Sequence, residues 1–171
     1  MKRCFALLFL VTVAIWAQKP LVSREVMATV ENSFDQRIIR FSADEPFDLL
    51  GTTRGIYLEG YGVVLTMEVN LLISPGITPF HPAYTAEEKA KVRQKKLLRL
   101  PALKQMMMDQ LFSAASMLDM VPANEQIVLG VQLLYRSWED SSGLPRQILM
   151  QAPRSALKTN QRAAVRVQEL Y

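Results

Sequence analysis

From Val63 onward the odd positions read Val63, Leu65, Met67, Val69, Leu71 and Ile73, with Thr66, Glu68 and Asn70 between them. A period of two sends one set of side chains to a buried face and the other towards water, so this stretch is a long β-strand. An isolated strand is not stable in water, and the sequence supplies a neighbour just before it. Arg54–Glu59 reads as a shorter strand, and Gly60-Tyr61-Gly62 between the two reads as a hairpin connection in which glycine supplies positive φ. The same glycines raise the alternative of a phosphate-cradling loop. The dinucleotide fingerprint needs G-x-G-x-x-G between a strand and a helix. Here a strand follows and position 65 is leucine, so the hairpin is the expectation. Glu59 and Glu68 fall on its polar side as solvated carboxylates rather than general bases.

Before this hairpin, Val22, Val26, Val30, Phe34, Ile38 and Phe41 recur at helical spacing, with Ser23 as the N-cap and Ala43-Asp44-Glu45-Pro46 as the stop. After it, Ser74–Pro82 carries three prolines and a glycine and reads as a loop. Thr85-Ala86-Glu87-Glu88 has the spacing of a capping box, and Leu100, Leu103, Met107, Leu111, Ala114 and Leu118 form a helical stripe behind it. A second strand pair follows: Ile127, Leu129, Val131, Leu133 and Tyr135 alternate with polar or small residues, Ser137–Pro145 is a polar loop, and Arg146–Gln151 is a shorter strand. Pro153 onward reads as a weak terminal helix. The order predicts a single α+β domain: two β-hairpins in one mainly antiparallel sheet, packed by the long helix, with N- and C-terminal helices.

The first residues carry a different signal. Met1-Lys2-Arg3 is a positive n-region, and Phe5–Trp16 is an apolar run too short to cross a bilayer. Small Ala17 then precedes polar Gln18. Residues 1–17 are expected to be a signal peptide, 18–171 the mature domain, and the destination the periplasm or the exterior. Cys4 lies too early for a lipoprotein attachment site. Removing the leader takes away the chain's only cysteine, so the fold must be held by its core, and roughly 150 residues suffice for one. The formal charge of +4 includes Lys2 and Arg3, and the remainder is too mild to imply nucleic acid.

Carried back at 100° per residue, the long-helix stripe runs through Lys89, Arg93 and Lys96, which cannot be comfortably buried alone. Either Pro101 re-phases the helix, or residues 86–99 extend past the core as a basic arm. That arm would hold Lys89, Lys91, Arg93, Lys95, Lys96 and Arg99, a candidate docking surface for an acidic protein, an anionic lipid surface or an acidic envelope polymer. It has no aromatic residue for base stacking.

Other candidate residues are weaker. Met106, Met107, Met108, Met117 and Met120 could offer thioethers to copper(I), although methionine is a common gap-filler in cores. Asp44, Glu45 and Asp48 cluster at a helix exit without calcium-loop spacing. His81 is the only histidine and has neither a zinc partner set nor a G-x-S-x-G serine. Ser155-Ala156-Leu157-Lys158 matches S-x-x-K by letter alone. Trp138-Glu139-Asp140 is either a binding tip or a tryptophan folded back over the sheet edge.

The stretches GTTRGIYLEGYGVVLTMEVNL and PANEQIVLGVQLLYRSWED resemble uncharacterised exported bacterial proteins, a resemblance that implies no activity. The expected function is that of a soluble envelope protein acting by binding, with no cofactor and no membrane span after signal cleavage. A small-molecule or copper-binding protein is the alternative, and a hydrolase with a site assembled only by the fold comes third.

Overall fold

The computed structural model describes residues 21–41, 46–74, 76–80 and 83–171. The expected leader, His81, Asp44 and Glu45 therefore lie outside the described residues. Helix α1 is Arg24–Ile39 and starts at Ser23, whose side chain accepts a hydrogen bond from the Val26 amide. Strands β1 (Asp48–Leu49), β2 (Arg54–Leu58) and β3 (Gly62–Asn70) follow, then helix α2 (Ala86–Met117) and strands β4 (Gln126–Leu133) and β5 (Gln147–Pro153). The chain closes with the short helix α3 (Arg154–Lys158), a 3₁₀ turn at Arg162–Ala164, and strand β6 (Arg166–Leu170). The α+β class holds.

Three details depart from expectation. The two hairpins are present, but they join through a parallel β3–β4 pair in which Gly62 lies opposite Gln126 and Val69 opposite Leu133. Parallel neighbours need a crossover, and α2 supplies it. The C-terminal helix is only five residues long, and the chain then turns back as β6 along β5, pairing Met150 with Val167. Finally, α1 ends at Ile39 and buries Glu31 and Asp35 beside Met27, Val30, Phe34 and Ile38, while Phe41 stays exposed. Valine spacing alone could not show those two acids.

The sheet order is β1-β3-β4-β5-β6, with β2 also on the β1 side of β3. Its core-facing side chains, odd-numbered in β3 and β4 (Leu65, Val69, Leu129, Val131) and even-numbered in β5 (Ile148, Met150), pack together with α1 and α2. Leu100, Leu103, Met107, Leu111, Ala114 and Leu118 are all buried there, so the helix keeps its phase through Pro101. The capping box is formed: Thr85 Oγ1 accepts from the Glu88 amide at 3.2 Å and Glu88 Oε2 accepts from the Thr85 amide at 2.8 Å. None of the described helices is long and apolar enough to cross a membrane.

Two buried acids on α1 hold the start of β2. Glu31 accepts from the Gly55 amide at 2.7 Å and from Arg24 at 2.8 Å, while Asp35 Oδ1 accepts the Thr53 amide at 2.8 Å and its hydroxyl at 2.6 Å. Burial pushes the Glu31 carboxyl up, but the Arg24 hydrogen bond, the Gly55 amide and the charges of Arg24 and Arg54 together hold it below its ordinary value. A group with a lowered folded pKa contributes stability that is present above its unfolded pKa and is lost as pH falls through the folded one. Acid denaturation should therefore be less steep in Glu31→Gln, which is less stable than the wild type at neutral pH. Urea midpoints measured from pH 7 down to pH 3 check this.

The hairpin tip is as expected, with φ of 78° at Gly60 and 129° at Gly62. The two glycines differ in surroundings. A Cβ at Gly60 would meet open space, whereas one at Gly62 would lie 1.9 Å from the Gln126 carbonyl oxygen, across the parallel pair. Gly60→Ala should cost about 1 kcal/mol from backbone strain alone. Gly62→Ala should cost clearly more and disturb the β3–β4 start, a ranking that denaturant titration of both variants will read.

Candidate functional site: a buried ion pair under a loop, and an open sheet face

Lys96 is not part of a projecting arm. It stays on the α2 stripe as the phase requires, and it is 1% exposed because the β4–β5 loop delivers Glu139 to it. The ammonium donates to Glu139 Oε2 at 2.5 Å, to Asn70 Oδ1 at 2.9 Å and to the Leu134 carbonyl at 3.4 Å, and it lies 5.0 Å from the Tyr135 ring centroid. Glu139 Oε1 accepts in turn from the Ser74 hydroxyl at 2.7 Å. The cluster thus joins the end of β3, the middle of α2 and the loop after β4. Tyr135 completes it by donating to the Pro145 carbonyl at 2.7 Å.

Burial holds the Lys96 ammonium below its ordinary value, although the hydrogen bond and charge of Glu139 pull the other way. Burial also raises the Tyr135 hydroxyl, and the Glu139 charge adds to that. Hydrogen bonds from one ammonium to Asn70, Leu134 and Glu139 fix how these segments sit against α2. The cluster's neighbours brace the same region. Trp138 is buried and stacks on Tyr84 with ring centroids 3.7 Å apart, which places it against the segment before α2 rather than over the sheet edge.

The remaining basic candidates spread out. Lys91 and Lys95 are exposed, Lys89 is half-buried, Arg99 lies 4.7 Å from the Phe47 ring centroid, and Arg93 donates to the Ser142 carbonyl at 2.6 Å with Asp140 3.7 Å away. The methionines belong to the apolar interior: Met106 and Met107 are buried, and Met108, Met117 and Met120 pack partly buried against the core. Among the described residues no group of three His, Cys, Asp or Glu side chains is placed to hold a metal ion. Glu59 and Asp140 are exposed and lie in separate turns. Asp48 is half-buried in β1, and Ser155 and Lys158 fall in α3 with both side chains exposed.

Glu68 lies on the other notable surface. On the sheet face turned away from both helices, formed by even-numbered side chains of β2, β3 and β4 and odd-numbered ones of β5, Ile56, Leu58, Thr66, Glu68 and Gln132 are exposed. Register across the sheet places Ile56, Val64, Val128 and Gln151 in one row, and Thr66, Gly130, Leu149 and Gln168 in the next. Val128 is only 3% exposed yet stands outside the core cluster. Towards β1 the face opens into a shallow depression of about 280 Å³ lined by Thr52, Arg54, Thr66, Glu68 and Gln132. No protein-family model, curated protein or solved structure matches the chain.

Removing one partner of a buried ion pair strands the other charge, which costs about 3–5 kcal/mol. Lys96→Met and Glu139→Leu should each lose stability of that order. The double variant should regain most of it, since both charges go together. It should still expose residues 76–80 to protease, because the brace on Ser74 is gone. Urea melts and limited proteolysis of the three variants separate stability from positioning.

Proposed function

We propose that the protein is exported and acts by binding, with the open sheet face as the docking surface for a weakly charged protein segment. The export half rests on the n-region, the apolar run and Ala17, and predicts a mature chain that begins at or near Gln18.

The observation that carries the binding half is the centre of the open face. Parallel strands are usually covered on both sides, yet the β3–β4 pair has helices on one side only among the described residues. Charge is sparse at its middle: Val64, Val128, Gly130 and Leu149 are surrounded by Gln132, Gln147 and Gln151, with Arg54, Glu68 and Arg166 further out. Depletion of charge at the centre with a polar rim is the pattern of a protein interface. Glutamine amides both donate and accept, which suits the main chain of a partner.

Gly130 adds a second argument. A glycine inside a strand weakens it by roughly 0.5–1 kcal/mol relative to alanine. A Cβ at Gly130 would meet only ordinary contacts, 3.5 Å to Leu149 and 3.8 Å to Thr66. The fold does not need that glycine, and without a side chain there the backbone lies open to close approach by a partner between Leu149, Thr66 and the Gln147 amide.

A photo-crosslinking residue at Gln132 should give a discrete protein adduct in the producing cell, and one at Gln105 on α2 should not. Gly130→Ala should keep or raise the melting temperature and weaken the Gln132 adduct. Adducts from Gln105 alone, or a marked loss of stability in Gly130→Ala, would overturn the reading. N-terminal sequencing of the same preparation tests the export half.

A further inference from the structure

The two margins of the sheet are finished differently. At the start of β2, helix α1 turns Asp35 and Glu31 to the outward amides of Thr53 and Gly55, so that stretch of edge is already taken. At the other end of the strand order stands β6, and among the described residues no strand pairs with its outer side. It carries no proline and no lysine, and its one acid, Glu169, is held by Lys104 at 2.5 Å.

Ladder alternation shows which groups β6 presents. The Leu133 amide donates to the Arg146 carbonyl at 2.8 Å, so β5 turns the main chain of its even-numbered residues to β4 and that of its odd-numbered residues to β6. Gln147, Leu149 and Gln151 lie opposite Leu170, Gln168 and Arg166. The amides and carbonyls of Val167 and Glu169 therefore point out of the sheet, and no main-chain group among the described residues meets them there.

We propose that β6 pairs antiparallel with the β6 of a second copy of the chain, about a two-fold axis at Gln168. Self-pairing requires every residue to suit its own image, and this strand meets that condition. About Gln168, Val167 falls opposite Glu169 and Arg166 opposite Leu170, so no like charges meet and all five residues of β6 are paired. One step towards the C-terminus sets Glu169 against itself, and one step the other way carries the pairing out of β6 to Val165. Val167 and Glu169 are the hydrogen-bonding positions of the chosen register, and Gln168 is the non-hydrogen-bonded pair, where side chains approach most closely. In the amide orientation that satisfies both side chains, the Gln168 oxygen accepts from Arg166 at 2.9 Å, and its NH2 group and second lone pair serve the image across the axis. Val167 and Leu170, 41% and 55% exposed, gain cover. The two sheets then run as one, with both open faces on the same side. The pairing uses the sheet edge, so it stands apart from the face and export readings.

Sedimentation velocity of the protein purified from the producing cell should show a monomer–dimer equilibrium at micromolar concentrations. Gln168→Arg sets like charges across the axis and should raise the dimer Kd about tenfold or more. Val167→Pro removes an outward amide that β5 does not use, and should also favour the monomer while the melting temperature stays near that of the wild type. Should the proline unfold the chain, a cysteine pair still decides. Gln168→Cys in a Cys4→Ser background is the only thiol, and it should oxidise to a disulfide-linked dimer because the axis brings the two Cβ atoms together. Leu170→Cys in the same background lies opposite Arg166 of the second copy and should stay reduced. A monomer at every concentration, a dimer untouched by Gln168→Arg, or cross-linking at 170 in preference to 168 would overturn the proposal.

Discussion

The contact on which the surroundings depend is the one between Lys96 and Glu139. A lysine on the apolar stripe of a helix must either turn the helix away from the core or bring its own counter-charge inside. This chain does the second, and the choice propagates. Because Glu139 must reach the middle of α2, the β4–β5 loop folds over the helix, and because Glu139 also takes the Ser74 hydroxyl, the end of β3 is held in the same place. Three elements are thus tied together at this corner by one charged pair and its hydrogen bonds. What the pair supplies is geometry: one buried ammonium ties the end of β3, helix α2 and the loop after β4 together.

Much of the architecture was legible in the residues. The β2–β3 hairpin, the capping box at Thr85 and the leucine stripe of α2 all rest on local rules, and local rules can be read from one chain. The α+β class followed from their order. What escaped was long-range. Nothing near Lys96 in sequence announces Glu139, so the correct phase led to an arm that does not exist. The parallel β3–β4 pairing escaped for the same reason, since two hairpins are equally compatible with an antiparallel seam. Strand β6 was read as a weak helix because Arg166–Leu170 is short and owes its form to pairing with β5. Glu31 and Asp35 were hidden by their polarity; they are buried because Gly55 and Thr53 meet them with amides. As for candidate sites, the basic residues were visible as a group, yet only the fold could remove Lys96 from it and turn Arg93 to the Ser142 carbonyl and Arg99 to the Phe47 ring.

The two faces of the sheet illustrate how a small domain divides its labour. One face takes α1 and α2 and the interdigitating core side chains, so its composition is dictated by packing. The other carries no such obligation, and its row of amides and small apolar groups has to be accounted for by solvent or by a partner. A residue such as Gly130, which the fold can replace, is more informative about use than a residue the fold requires.

The crossover from β3 through α2 to β4 also shapes how the chain reaches this state. Hairpins and helices close short loops and form early, on microsecond scales, whereas the central pairing of Gly62 with Gln126 must bridge the whole of α2. Loop closure over that distance makes the seam between the halves the slow step, and until it forms the two hairpins are separate units joined by a tether. Such a chain can remain open for longer than a meander of the same size, in which every pairing joins neighbours in sequence.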